Sequence, residues 1–158
     1  MTKEYDVVVI GSGPAGYHAA IRCGQLGFKT ACIEKWQNKE NKTVYGGTCL
    51  NVGCIPSKAL LDTSHKYVEA IDEFKTHGIK VPEVSIDVPA MIERKDRVVA
   101  QLTTGVAGLL SGNKVEGVSG IGKVTAPETV IVTDHEGKQQ ELKAKHIIIA
   151  AGSVPIEI

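Results

Sequence analysis

Two cysteines five positions apart, Cys49 and Cys54, lie in the stretch Gly46-Gly47-Thr48-Cys49-Leu50-Asn51-Val52-Gly53-Cys54-Ile55-Pro56-Ser57-Lys58. Pro56 fits the first turn of a helix, where its missing N–H leaves no bond unmade. Cys54 is therefore expected at a helix N-terminus, with Lys58 one turn on and on the same face. The helix dipole and the ammonium both favour a Cys54 thiolate at neutral pH. In a regular helix, residues i and i+5 lie beyond the roughly 7 Å between Cα atoms that a disulfide permits. A Cys49–Cys54 bridge thus requires an irregular turn, which Gly53 allows, and a strained bridge of this kind suits thiol exchange better than stapling. Two other readings stay open. Zinc accepts a C-x4-C half-site but needs a second ligand pair, and Cys23, Cys32 and the five His offer no matching spacing. The pair could also be two reduced structural thiols. Cys23 and Cys32 fall in a helix–sheet core pattern and read as small hydrophobes.

A second constellation lies at the N-terminus. Gly11-Ser12-Gly13-Pro14-Ala15-Gly16 follows the β-branched run Val7-Val8-Val9-Ile10 and opens a helical stretch, and Glu34 comes 18 residues after Gly16. Strand, Gly-x-Gly-x-x-Gly, helix, strand and acid together make a dinucleotide-binding unit. Gly11 allows the sharp turn, Gly13 lets backbone approach a pyrophosphate, and Gly16 lets the helix pack on the sheet. The free N–H groups of the helix start attract the phosphates. An acid at Glu34 accepts from ribose hydroxyls and disfavours a 2′-phosphate, which points to an unphosphorylated adenosine such as FAD or NAD.

The elements that must position these residues follow from periodicity. The unpatterned run at Val7–Ile10 reads as a strand covered on both faces, and Thr30–Glu34 as its neighbour. A polar loop occupies 35–48. A long helix is predicted from Cys54 to about His77, with Leu60, Ser64, Tyr67, Val68, Ile71 and Phe74 on one face and Gly78 as its stop. A second runs from Asp87, an N-cap, to Ser111, with Met91, Lys95, Val98, Leu102, Val106 and Leu109 as its stripe. Val115–Val118, Ile121–Thr125, Thr129–Thr133 and Gln139–Lys143 read as short antiparallel strands, with a turn at Asp134–Gly137. Ile147–Ala150 reads as another fully buried strand. The fold class is α/β: a Rossmann-like domain with a parallel central sheet, two long helices and a small antiparallel β-meander over about 114–145.

The 158 residues carry 18 Lys and Arg against 18 Asp and Glu, so no basic surface argues for nucleic acid. Hydrophobic residues make up 42%, enough for a core, and the 17 glycines imply close backbone approaches. No apolar run reaches the ~18 residues of a membrane span. With no signal peptide at the start, a cytoplasmic location is expected.

Residues 46–61, Gly-Gly-Thr-Cys-Leu-Asn-Val-Gly-Cys-Ile-Pro-Ser-Lys-Ala-Leu-Leu, after an N-terminal Gly-x-Gly-x-x-Gly, resemble the flavoprotein disulfide reductases. The resemblance covers essentially the whole chain. Leu50 and the Ile55–Lys58 run look like the lipoamide type, where glutathione and mercuric reductases differ. The resemblance implies an FAD-binding domain in which Cys49 is the interchange thiol, Cys54 the flavin-facing thiol in charge-transfer contact, and Lys58 the lysine near the flavin ring. It places Glu34 and Lys35 at the adenosine ribose and Gly47 with Thr48 at the pyrophosphate. Gly122 is placed at the adenine side, and Ala151-Gly152-Ser153 at a strand end where Thr is usual in place of Ala151. It further implies that residues 1–158 are the N-terminal part of the FAD domain and are inactive alone. A NAD domain and a dimerisation domain are expected elsewhere in the intact homodimer. Its expected partners are dihydrolipoyl groups of 2-oxo acid dehydrogenase complexes or a related dithiol. The alternatives are another flavoprotein disulfide reductase, of the glutathione or mercuric reductase type, or an FAD-binding or apo module without turnover.

Overall fold

The computed structural model describes residues 2–154 and 156. Six strands form one sheet: β1 (Lys3–Ile10), β2 (Thr30–Glu34), β3 (Glu116–Ser119), β4 (Ile121–Ala126), β5 (Thr129–Thr133) and β6 (Gln139–Ile149). Their spatial order is β3-β2-β1-β6-β5-β4. β1 pairs in parallel with β2 and β6, and β2 in parallel with β3, whereas β4, β5 and β6 are antiparallel. The result is the expected Rossmann-like α/β architecture with an antiparallel extension.

The unpatterned run in β1 has a direct cause, since both faces of the sheet are covered. Val8 and Ile10 join Tyr5, Ile33, Val130, Val132 and Leu142 in a core beneath the antiparallel strands. Val7 and Val9 point the other way, into a core with Ala20, Cys32, Leu50, Val106, Leu110 and Val115. Helices α1 (Pro14–Gln25), α2 (Gly47–Asn51), α3 (Cys54–Val68) and α4 (Val88–Gly112) follow one another around the sheet. Asp87 caps α4 as expected, its carboxylate accepting from Ala90 N at 2.9 Å.

Several expectations are corrected. The predicted strands Gln139–Lys143 and Ile147–Ala150 are one strand, because Lys143, Ala144 and Lys145 keep the in–out alternation, with Ala144 buried between two partly or fully exposed lysines. The end of β6 is not fully buried: Ile149 is 72% exposed, with no described element packed over that face. β3 is a parallel edge strand rather than part of the meander, because the chain reaches it by crossing the sheet through α3 and α4. The loop expected over 35–48 gives way at Gly47 to α2.

The long helix from Cys54 changes character at Glu69. A π turn (Glu69–Glu73) and a 3-10 turn (Phe74–His77) follow, and Gly78, at φ +75°, ends the run. The wider π turn rotates the face, so a 3.6-residue stripe cannot carry through it. Ile71, within that turn, is accordingly exposed; Val68, the last residue of α3, is exposed as well, and the buried residues of α3 are Pro56 and Ala59. On α4 the inward side chains are Thr103, Val106 and Leu110, while Leu102 and Leu109 face out.

Leu142 is fully buried where β6 meets both β1 and β5. Leu142→Ala is expected to lower unfolding stability by about 2–5 kcal/mol in urea titrations. A loss under about 1 kcal/mol would contradict that placement.

Candidate functional site

The chain turns sharply after β1. Gly11 sits at φ +97°, and a Cβ there would lie 2.3 Å from the carbonyl oxygen of Ala150, beyond the end of β6. Gly16 packs closer still, with a Cβ position only 1.8 Å from Gly11 O. α1 begins at Pro14 behind Gly13, with no side chain capping its first turn. Gly47, at φ +59°, packs directly on Gly13: its Cβ position would be 2.7 Å from Gly13 Cα. Two bare backbones and an uncapped helix start thus face one another, and this cradle fits a pyrophosphate.

Glu34 ends β2 almost fully buried. Its carboxylate accepts from Ser12 N at 3.0 Å, from the Ser12 hydroxyl, and from Trp36 N at 2.8 Å. Ser12, itself inaccessible, also takes the N–H of Gly46: the distances are 2.9 Å to its carbonyl and 3.3 Å to its Oγ. Glu34 therefore ties the glycine turn to the segment that leads to the cysteines. Sequence reasoning assigned it to a ribose and missed this bond, because the link to Ser12 spans 22 residues and no local pattern announces it. Lys35 is exposed beside it.

The cysteines occupy the joint between two helices. Cys49 lies in α2 and is half-buried against the helix-side core, while Cys54 opens α3 and is exposed. Val52 and Gly53 break the helical path between them, and a Cβ on Gly53 would be 3.0 Å from Thr48 O. Both thiols are free, and they neighbour each other across the break. The neighbouring Cys54 thiol raises the pKa of Cys49 above the ordinary thiol value, burial adds to the rise, and the Cys54 backbone N–H and the Lys58 ammonium oppose it. Thr48 and Lys58 are exposed, and Asn51 Nδ2 donates to Gly47 O at 2.9 Å, closing the short helix. Across the interface of α3 and α4, Arg94 donates to Ala59 O at 3.1 Å and to Asp62 at 2.8 Å. This clamp on the helix that carries Cys54 left no trace in the motifs.

The remaining cysteines are packing residues. Cys32 is fully buried, and desolvation followed by the Glu34 charge pushes its thiol up to about 12. Cys23 is half-buried against the same core. No group of three or more His, Cys, Asp and Glu among the described residues could hold a metal ion. Gly122 packs over Ile33 and Ile10, its Cβ position 3.0 Å from Ile33 Cδ1 and 3.3 Å from Ile10 Cγ2, so a side chain there would have to shift those isoleucines slightly. Ala151, Gly152 and Ser153 are exposed just beyond the glycine turn.

An α/β sheet with a glycine turn at its centre and a thiol pair at the adjoining helix start defines a redox class of nucleotide-binding protein. Residues 5–158 match the family described as pyridine nucleotide-disulphide oxidoreductase, and the chain belongs to that family. It is 55% identical over 152 residues to the mitochondrial dihydrolipoyl dehydrogenase of Pisum sativum, covering 96% of this chain and 29% of that protein. It is 53% identical to the leghemoglobin reductase of Glycine max, covering 96% of this chain and 28% of that protein. With the mitochondrial dihydrolipoyl dehydrogenase of Mus musculus it shares 52% over 151 residues, 95% of this chain and 28% of that protein. The chain thus spans under a third of the length of these relatives. The cytoplasmic location expected above is corrected by the names of the pea and mouse proteins, which are mitochondrial. Among the described residues no helix is long and apolar enough to cross a membrane.

If the Cys54 thiol raises the pKa of Cys49, the iodoacetamide reaction of Cys49, mapped by mass spectrometry, should reach half-maximal rate at a pH above the ordinary ~8.5 of a free thiol. Cys54→Ser removes the sulfur partner and should move that midpoint down. An unchanged midpoint would sink the assignment.

Proposed function

We propose that this chain is the FAD-binding, disulfide-bearing N-terminal part of a dihydrolipoyl dehydrogenase. In this reading the NAD and dimerisation domains belong to the remainder of a homodimer of its relatives' size. The observation that carries it is the placement of free Cys49 and Cys54 on either side of the α2–α3 break, with α2 starting at Gly47 directly on Gly13. The named relatives support the choice of substrate. Dihydrolipoyl groups of 2-oxo acid dehydrogenase complexes are the proposed partners.

In the oxidised enzyme, a substrate thiolate attacks Cys49 Sγ. A sulfur–sulfur bond forms between substrate and Cys49 as the Cys49–Cys54 bond breaks, and the electron pair leaves on Cys54. The second substrate thiol then attacks the substrate's own linked sulfur, and Cys49 departs and takes a proton. The dithiol has become a disulfide, the pair has gained two electrons, and the second substrate proton passes to solvent. Cys49 keeps that proton beside the Cys54 thiolate, with the Lys58 ammonium close by, so the negative charge stays on one sulfur. The backbone at Gly13 and Gly47 and the first turn of α1 would hold the pyrophosphate of FAD, with Glu34, Lys35, Thr48, Gly122 and Ala151–Ser153 around it. Bound FAD supplies the two-electron acceptor, and NAD is the proposed terminal acceptor in the rest of the protein.

Mild oxidation of the chain should join Cys49 to Cys54, and dihydrolipoamide should restore both thiols, as read by alkylation and peptide mass. Pairing of any other cysteines, or none, overturns the reading. FAD should bind with quenching of its fluorescence, and Gly47→Ala should weaken binding by at least about tenfold, since the left-handed backbone and the Gly13 contact both exclude a methyl group. An equal affinity would remove the cradle from the site.

The 158 residues alone should give no NAD-dependent oxidation of dihydrolipoamide. Turnover by a preparation free of longer chains would overturn that part of the proposal.

A further inference from the structure

We propose that Tyr45 is a positioning residue for the Cys49–Cys54 pair, seated in a notch that Gly117 leaves on β3. A Cβ at Gly117 would lie 1.9 Å from the Tyr45 hydroxyl oxygen and 3.0 Å from Cζ, so the ring end rests directly on the strand backbone. The rest of the ring packs against the helix-side core, which includes Cys49. The segment around Tyr45 is pinned at both ends. Thr43 Oγ1 donates to Ser119 Oγ at 2.7 Å, on the same edge strand, and Gly46 N donates to Ser12 O at 2.9 Å. Asn51 of α2 reaches back to the Tyr45 carbonyl at 3.4 Å. Tyr45 is the one large side chain between these pins, and α2, with Cys49 as its third residue, begins two residues later. Its seat on β3 therefore sets where α2 starts, and with it the distance between the two sulfurs.

The inference rests on the reading that Cys49 and Cys54 exchange electrons as a pair. The equilibrium between two thiols and their disulfide depends on how closely the sulfurs are held, and misplacements near 1 Å are felt strongly. A ring that merely fills the core would affect stability and leave that equilibrium alone.

The test equilibrates the 158-residue chain in glutathione redox buffers and counts the Cys49–Cys54 disulfide by alkylation and mass. Gly117→Ala is expected to shift the equilibrium constant by about tenfold, which is about 30 mV for a two-electron couple. In the Tyr45→Phe background the same substitution should shift it less than about threefold, because the oxygen that the methyl group strikes is gone. Equal shifts in both backgrounds, or a Gly117→Ala shift below threefold, overturn the positioning role. Tyr45→Leu empties the notch without a clash and covers the case in which Gly117→Ala fails to fold. It should move the constant by a similar factor with the circular dichroism unchanged, and no movement overturns the role. The alkylation rate of Cys49 in the reduced proteins is read alongside. A wild-type pair that forms no disulfide overturns the functional reading, and the positioning role then stands or falls on the same comparison of alkylation rates.

Discussion

The whole site depends on backbone meeting backbone at the carboxyl end of β1 with no Cβ between. Gly16 against Gly11, Gly11 against the carbonyl of Ala150, and Gly47 against Gly13 bring α1, the end of β6 and the start of α2 into direct contact. Gly11, Gly16 and Gly47 could each be replaced only by moving main chain. Such packing costs conformational entropy on folding and leaves the first N–H groups of α1 without side-chain partners. An anion is the natural partner for those groups, so the constraint that shapes the turn also defines what binds there.

The buried Ser12–Glu34 pair offsets part of that cost. One carboxylate, nearly out of water, satisfies the turn at Ser12 and the chain leaving β2 at Trp36, while Ser12 holds Gly46. Buried polar groups are tolerable when each finds a partner, and no buried side-chain nitrogen or oxygen among the described residues lacks one. Burial, and then the same carboxylate, disfavour a thiolate at Cys32 and keep that sulfur a packing residue. Environment alone thus sorts four chemically identical thiols into two that pack and two that face each other.

What the sequence made legible was local. The β1–turn–α1–β2 unit, the Asp87 cap, the Gly78 stop and the helix start at Cys54 each rest on a few neighbouring residues, and the structure has them where those residues require. The misses share a different cause. β3 has a strand-forming sequence, but its partner is set by a crossover, and the continuity of β6 beyond Lys143 is set by its distant register on β1. The stripe drawn through Val68 and Ile71 assumed one helical period across Glu69–Glu73, where the chain winds as a π turn. Glu34 was read for the ligand it could accept, whereas its bonds to Ser12 arise only once the fold has closed. Nothing in the motif around Lys58 pointed to Arg94, which reaches α3 from 35 residues away.

The two constellations found separately in the sequence are one object in the fold. Gly46 and Gly47 belong to both: they bond to or face the glycine turn, and they start the short helix that carries Cys49. A redox pair mounted on a free loop would sample many distances from a bound nucleotide, and electron transfer between them would be correspondingly poor. Here the loop is fixed at Ser12, at Ser119 and through the core, so the separation between thiols and cradle is set by the sheet itself. Exposure then divides the labour across the pair. Cys54 stands open at the start of a helix with Lys58 one turn on, while Cys49 is half-buried with its pKa raised by the neighbouring Cys54 thiol. Access, charge and distance are each assigned to a different residue, and all three are held by contacts that begin at the end of β1.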